Sequence, residues 1–231
     1  MGSENLFHKR KARSATGHKR RLAKRSPYDR VLIVCEGKKT EPDYFEALIE
    51  DLQLNTANVE IAKNTAGSSP RNVVDFALTA YKKDKKEGRA TREQYDQVYC
   101  VFDKDIHPTY QEALDTLQRE KNLGKRGCPI HAVTSVPCFE FWLLLHFTYT
   151  TKVFNARRGS LCASVIADLK KHIPSYEKGG MKQIYQLVKE HISTAIARAK
   201  QVEQHCESGG TDNPSTNVYE LVNYLQQLKK R

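Results

Sequence analysis

Three short stretches of this chain carry acidic side chains at positions where carboxylates do chemistry. Glu36 follows the five-residue apolar run Val31–Cys35 and precedes Gly37. Asp103 and Asp105 close a second run, Gln97-VYCVFD, with Lys104 between them. Glu140 interrupts the most apolar stretch of the protein, Phe139 to Leu145. A β-branched apolar run of four to eight residues is the pattern of a fully buried parallel strand. In open α/β sheets ligands bind beyond the carboxyl ends of such strands. Two carboxylates two apart in extended chain point the same way. Together they suit one hard cation, magnesium or manganese. Glu36, Asp103, Asp105 and Glu140 are therefore the candidate metal ligands. The same four acids, with Lys38 and His107, are the candidate catalytic residues. Each has a plainer reading. Glu36 could cap a strand–helix turn, the Asp pair could be solvated with Lys104 as counter-charge, and Glu140 could sit in a first helical turn favoured by the helix dipole. His146 reads as a packing histidine.

Charge points to a polyanion. The formal net charge is +11 over 231 residues. Residues 1–25 hold nine basic side chains (Lys9, Arg10, Lys11, Arg13, Lys19, Arg20, Arg21, Lys24 and Arg25) against the single acid Glu4. The rest of the chain is close to neutral. A basic arm of this kind, read as disordered or extended over 1–26, is the electrostatic footprint of a nucleic-acid partner. Lys39 and Lys104, beside the acids, join the candidate phosphate contacts. No apolar run approaches the roughly 18 residues of a membrane span, and no secretory signal is evident. Cytoplasmic residence is expected, with the cysteines as buried reduced thiols, since none forms a CxxC pair.

The elements that must position these residues alternate. Val31–Cys35 leads into a helix for which Thr40 is a suitable N-cap and Pro42 lies in the first turn. A short strand follows at Val59–Ala62, then a helix capped by Ser69 and opened by Pro70. Next come the strand ending in Asp103, a helix from about Pro108 to Asn122 followed by Gly124 and Gly127, a strand at Pro129–Val133, and an apolar helix over Cys138–Phe147. This β-α alternation predicts an α/β fold, a mostly parallel sheet flanked by helices, spanning 27–150. Beyond Phe147 the pattern predicts only helices, at 160–172, 178–190, 191–206 and after Pro214. They make a C-terminal helical region over 151–231. The polar run Asp212–Asn217 could touch a ligand or simply open the last helix.

The segments VLIVCEGKKTEPDYFEAL, VFDKDIH, VPCFEFWLLLHF and DNPSTNVYELV resemble the RloB family, whose members are encoded beside restriction–modification genes. The resemblance implies a Toprim-like domain, in which a glutamate follows the first strand and an Asp-x-Asp a later one. Glu36, Asp103 and Asp105 match those positions, with Glu140 or Glu41 as a further acid. The chain departs from the usual Toprim pattern after the pair, where Ile106-His107-Pro108 stands. The resemblance also implies a role in antiphage defence, beside a partner ATPase or other defence protein; self-assembly into a homo-oligomer is also open. The expected activity is metal-dependent phosphodiester hydrolysis on DNA or RNA, including transfer RNA, with Mg2+ or Mn2+. Two alternatives share the same acids: a non-catalytic nucleic-acid-binding or sensor subunit, and a nucleotide phosphatase. No Walker A sequence is present, which disfavours a P-loop ATPase.

Overall fold

The computed structural model describes residues 29–56, 58–63, 67–87, 94–122, 129–155 and 160–228. The basic arm and Gly124 and Gly127 lie outside them. Strands β1 (Val31–Cys35), β2 (Val59–Lys63), β3 (Gln97–Asp103), β4 (Ile130–Val136) and β5 (Ser215–Thr216) form one sheet in the order β2-β1-β3-β4-β5. The first four run parallel and β5 is antiparallel to β4. The fold is α/β, with a mostly parallel sheet, flanking helices and a helical C-terminal region.

Burial explains the strand choice. Every residue of β1 is buried, and so is the centre of β3 from Val98 to Phe102. Alternation along each strand divides the apolar residues between two faces. Leu32, Val34, Val98, Cys100 and Phe102 pack with α2 (Pro70–Glu87) and α3 (Tyr110–Asn122). Val31, Ile33, Cys35, Tyr99, Val101 and Val133 face the other way. They share one core with α1 (Thr40–Asp51), α4 (Glu140–Leu145), α5 (Leu161–Leu169), α6 (Met181–Val188), α7 (Ile192–Gly209) and α8 (Val218–Leu228). The apolar segment Phe141–Leu145 is the centre of that second core. Each such side chain contributes about 1.5–3 kcal/mol by leaving water.

The topology sets up the site. From β1 the chain crosses through α1 to β2 on one side. From β2 it crosses through α2, on the opposite face, to β3 on the other side of β1. The two crossovers part at the C-terminal ends of β1 and β3, which leaves a crevice at the topological switch point. Glu36 and Asp103 flank that crevice.

Several local expectations change. Strands do not end at Phe147: Ser215–Thr216 adds a two-residue edge to β4. It forms because Asn217 supplies what a longer strand would. The Asn217 Oδ1 accepts from the Thr134 N–H at 2.6 Å, and its Nδ2 donates to the Ala132 carbonyl at 3.0 Å. Thr40 is not the cap of α1 but its first residue, and Lys39 precedes it without a side-chain cap. Ser69 does cap α2, its Oγ accepting from the Asn72 N–H at 3.3 Å. Helices α3 to α6 are each shorter at their ends than the apolar periodicity suggests, while α7 runs on to Gly209; end residues fray or turn where the last carbonyls lack partners.

Candidate active site

A cleft of about 400 Å³ opens at the switch point, lined by Glu36, Glu41, Asp103, Asp105 and Glu140 together with Lys38, Lys39, Ser68, His107 and Lys178. All four acids expected from sequence are there, and Glu41 makes a fifth. They come from separate places: the end of β1, the first turn of α1, the end of β3, the turn after it, and the first turn of α4.

Glu36 is 8% exposed. Its Oε2 accepts from the Asp103 N–H at 3.0 Å, and its Oε1 lies 3.1 Å from the His107 Nε2. Burial raises the Glu36 pKa, Asp105 adds to the rise, and the Asp103 amide and His107 oppose it. Glu41, 6% exposed, owes its place to Gly37. A Cβ at position 37 would fall on the Glu41 carboxylate, so only glycine leaves room for it. Burial, reinforced by Glu140 and Glu36, lifts Glu41 to about 7. Asp103 is partly exposed as a residue, but protein surrounds its carboxyl group. Burial first, then Glu41, Glu140 and Glu36, raise its pKa well above the usual range.

Glu140 is 1% exposed and is held by the C-terminal region. The Tyr176 hydroxyl donates to its Oε1 at 3.0 Å and the Lys178 ammonium lies 3.3 Å from the same oxygen. Burial works against the Lys178 charge, yet Glu140, Asp103 and Glu41 outweigh it and raise its pKa. Asp105 sits in a turn with φ +29°, anchored by its N–H to the Pro137 carbonyl at 2.9 Å. The chain has thus left the extended form before Asp105, and a turn, not strand alternation, brings the two aspartates to the same cleft. The Asp105 Oδ2 accepts from the Ser160 hydroxyl at 3.0 Å, while its Oδ1 is buried without a partner.

Lys104 stands apart from the cleft. Its ammonium pairs with Asp212 and lies over the Tyr110 ring, outside the cleft lining. Side chains alternate along a strand, so the neighbour of an inward Asp103 points away. Lys38 and Lys39 stand exposed at the rim. The arm residues Lys9, Arg10, Lys11, Arg13, Lys19, Arg20, Arg21, Lys24 and Arg25 lie outside the described residues. The cysteines differ from expectation as well. Cys138 and Cys162 meet at their sulfurs, with Cα atoms 5.6 Å apart, because the turn before α4 and the start of α5 pack together.

The donor set fits a hard divalent ion. Burial and neighbouring carboxylates raise the pKa of Glu36, Glu41 and Asp103, Lys178 is the ammonium paired with Glu140 among the described residues, and one aspartate oxygen is orphaned. Ionised carboxylates under cover are costly without a cation. The acids surround the cleft without closing a shell. Among the described residues the group whose ligand atoms lie within 4.8 Å of one another is Cys138, Glu140 and Cys162.

Residues 31–225 match the RloB-like protein family. The chain belongs to that family. No curated protein and no solved structure matches it. Sequence reading missed Lys178, Tyr176 and Ser160 in this RloB-like chain, because their loop and cap positions carry no periodic signal. No helix among the described residues is long and apolar enough to cross a membrane.

Proposed function

We propose that this RloB-like protein is a metal-dependent nuclease that hydrolyses phosphodiester bonds, with Glu36, Asp103, Asp105, Glu140 and Glu41 holding Mg2+ or Mn2+. The observation that carries the reading is the meeting of five carboxylates from five places in the chain in one cleft at the sheet's switch point. Evolution of a stable core alone gives no reason to bury so many acids with so few counter-charges. A Toprim-like arrangement is part of the proposal: Glu36 follows the first strand, and Asp103 ends a neighbouring one with Asp105 in the turn after it.

Bound there, the ion would activate water and offset charge on the phosphate. The protein's own groups divide the remaining work. Glu36 orients the His107 ring through the 3.1 Å contact, and His107 at the cleft wall can take or return a proton. Lys178 and the rim lysines Lys38 and Lys39 neutralise the scissile phosphate and its neighbours. The basic arm adds sequence-independent, salt-sensitive affinity for the nucleic acid. The family's setting makes antiphage defence the natural context, in the cytoplasm and alongside a partner defence protein such as an ATPase.

The test is direct. Purified protein is incubated with duplex DNA, single-stranded DNA and transfer RNA in Mg2+ or Mn2+, with Asp103→Ala as the control. Cleavage that needs the ion and disappears in the variant supports the reading. Cleavage of no polymer, with binding retained, would leave a nucleic-acid-binding sensor instead.

A further inference from the structure

The C-terminal region does more than cover the sheet: the first turn of α5 touches two of the acids. Ser160, the N-cap of α5, accepts from the Cys162 N–H at 3.1 Å and donates to Asp105 at 3.0 Å. Cys162, as a thiol, donates to the Glu140 Oε2 at 3.1 Å. The partner of Cys162 in the other half of the site is Cys138, two residues before Glu140. The Cα separation of 5.6 Å lies within the range a disulfide spans. Cys35, Cys100 and Cys206 are buried elsewhere in the core.

We propose that Cys138 and Cys162 are a reversible dithiol–disulfide site that fastens the C-terminal region to the acid cleft and tightens the cleft's hold on a divalent cation. The cation half of this rests on the nuclease reading; the covalent half does not.

The oxidant is a peroxide, small enough to reach buried sulfur. One cysteine thiolate attacks a peroxide oxygen, the O–O bond breaks, and a sulfenic acid forms as hydroxide leaves and takes up a proton to become water. The second thiol sulfur attacks the sulfenic sulfur. The S–S bond forms, the S–O bond breaks, and the departing hydroxide takes the thiol proton as a second water. Two thiols and one peroxide give one disulfide and two waters. A small dithiol reverses the reaction by exchange.

The two states treat Glu140 differently. In the dithiol the Cys162 S–H occupies its Oε2. In the disulfide no proton remains to donate, so that oxygen is free to face an ion. The same bond holds Ser160 and its Asp105 contact against the α/β core. Both changes favour the bound cation.

The full-length protein is prepared fully reduced and, separately, peroxide-treated. Intact mass, alkylation of free thiols after denaturation and peptide mapping read the bridge. Free Mn2+, followed by its paramagnetic resonance signal, reads affinity. The expected result is a mass loss of about 2 Da, a bridge mapped to Cys138–Cys162, and Mn2+ binding about ten-fold tighter in the oxidised protein, equivalent to about 1.4 kcal/mol. Cys138→Ser and Cys162→Ser are each expected to bind Mn2+ as the reduced parent does and to be indifferent to peroxide. Two thiols that stay alkylatable after peroxide, or equal Mn2+ affinity in both states, would overturn the proposal. So would protection of both thiols by zinc in the reduced protein, which would make Cys138, Glu140 and Cys162 a soft-metal site. A mapped bridge with no Mn2+ binding in either state would instead overturn the nuclease reading and leave the covalent switch standing.

Discussion

Two polar regions lie at opposite sides of β4, and they treat hydrogen bonding in opposite ways. In the seam formed by Asp212–Asn217, polar groups are paired reciprocally. Asn213 accepts from the Phe154 N–H at 3.2 Å and donates to the Phe154 carbonyl at 2.9 Å. Asn217 does the same for Thr134 and Ala132, and the Ser135 and Thr216 hydroxyls meet at 3.0 Å. In the cleft, five acids face one another with Lys178 as their paired ammonium, and the Asp105 Oδ1 has no partner. A region built for stability satisfies its polar atoms. A region that leaves charge uncompensated is arranged for something that arrives. In the polar run DNPSTN, which sequence alone left between ligand contact and loop, Asn213 ties the loop to Phe154 and Asn217 ties the start of the last helix to β4.

The largest expected effect breaks the cleft alone. Asp103→Ala should lower metal-dependent cleavage at least ~100-fold, while thermal melting without added metal stays level or rises, because one repelling charge is gone. A large loss of melting temperature would mean that Asp103 serves the fold. The converse substitution breaks the seam alone. Asn217→Ala strands a half-buried amide and a half-buried carbonyl, and should cost about 1–2 kcal/mol in urea unfolding, with Mn2+ affinity unchanged.

His146 sharpens the comparison, because it is half of each case. Its Nδ1–H donates to the Trp142 carbonyl at 3.0 Å, while its Nε2 is buried without a partner. Burial holds the imidazole down at about 4, helped by His191 and Arg198 and opposed by the Trp142 and Leu143 backbone. The unfolded chain, near 6.5, takes the proton first, so stability is full above about pH 6.5 and falls as pH drops toward 4. Between pH 7 and pH 5 the loss should be about 2 kcal/mol. Urea titrations of His146→Gln at both pH values should remove that difference; an unchanged difference would place the acid sensitivity elsewhere.

The smallest expected effect tests the counter-charge. Lys178→Met should lower kcat/KM for cleavage about ten-fold, roughly the value of one charged contact to phosphate. Activity equal to the parent would confine Lys178 to holding Glu140 in place.

Much of this molecule is readable before folding. The runs Val31–Cys35 and Gln97–Phe102 are too uniformly apolar for anything but buried parallel strands, and the acids that follow them must emerge at the strands' carboxyl ends. Glu36, Asp103 and Asp105 are found that way, Glu140 as the acid that interrupts an apolar run, and all four line one cleft. Lys104, read beside them, pairs with Asp212 and does not line the cleft, since neighbouring in sequence is not facing in space.

What sequence determines here is local: strand runs, crossover order and the acids at their ends all follow from hydrophobic spacing over a few residues, which needs no knowledge of distant chain. Tertiary structure alone decides which distant residues complete the cleft. Lys178, Tyr176, Ser160 and Cys162 reach Glu140 and Asp105 only because α5 and the loop after it pack on the α1–α4 face of the sheet. Burial on folding, in turn, sets the charge state of Glu41 and Asp103, because a carboxyl group's pKa depends on its solvent and its neighbours, and neither exists until the chain has closed around it.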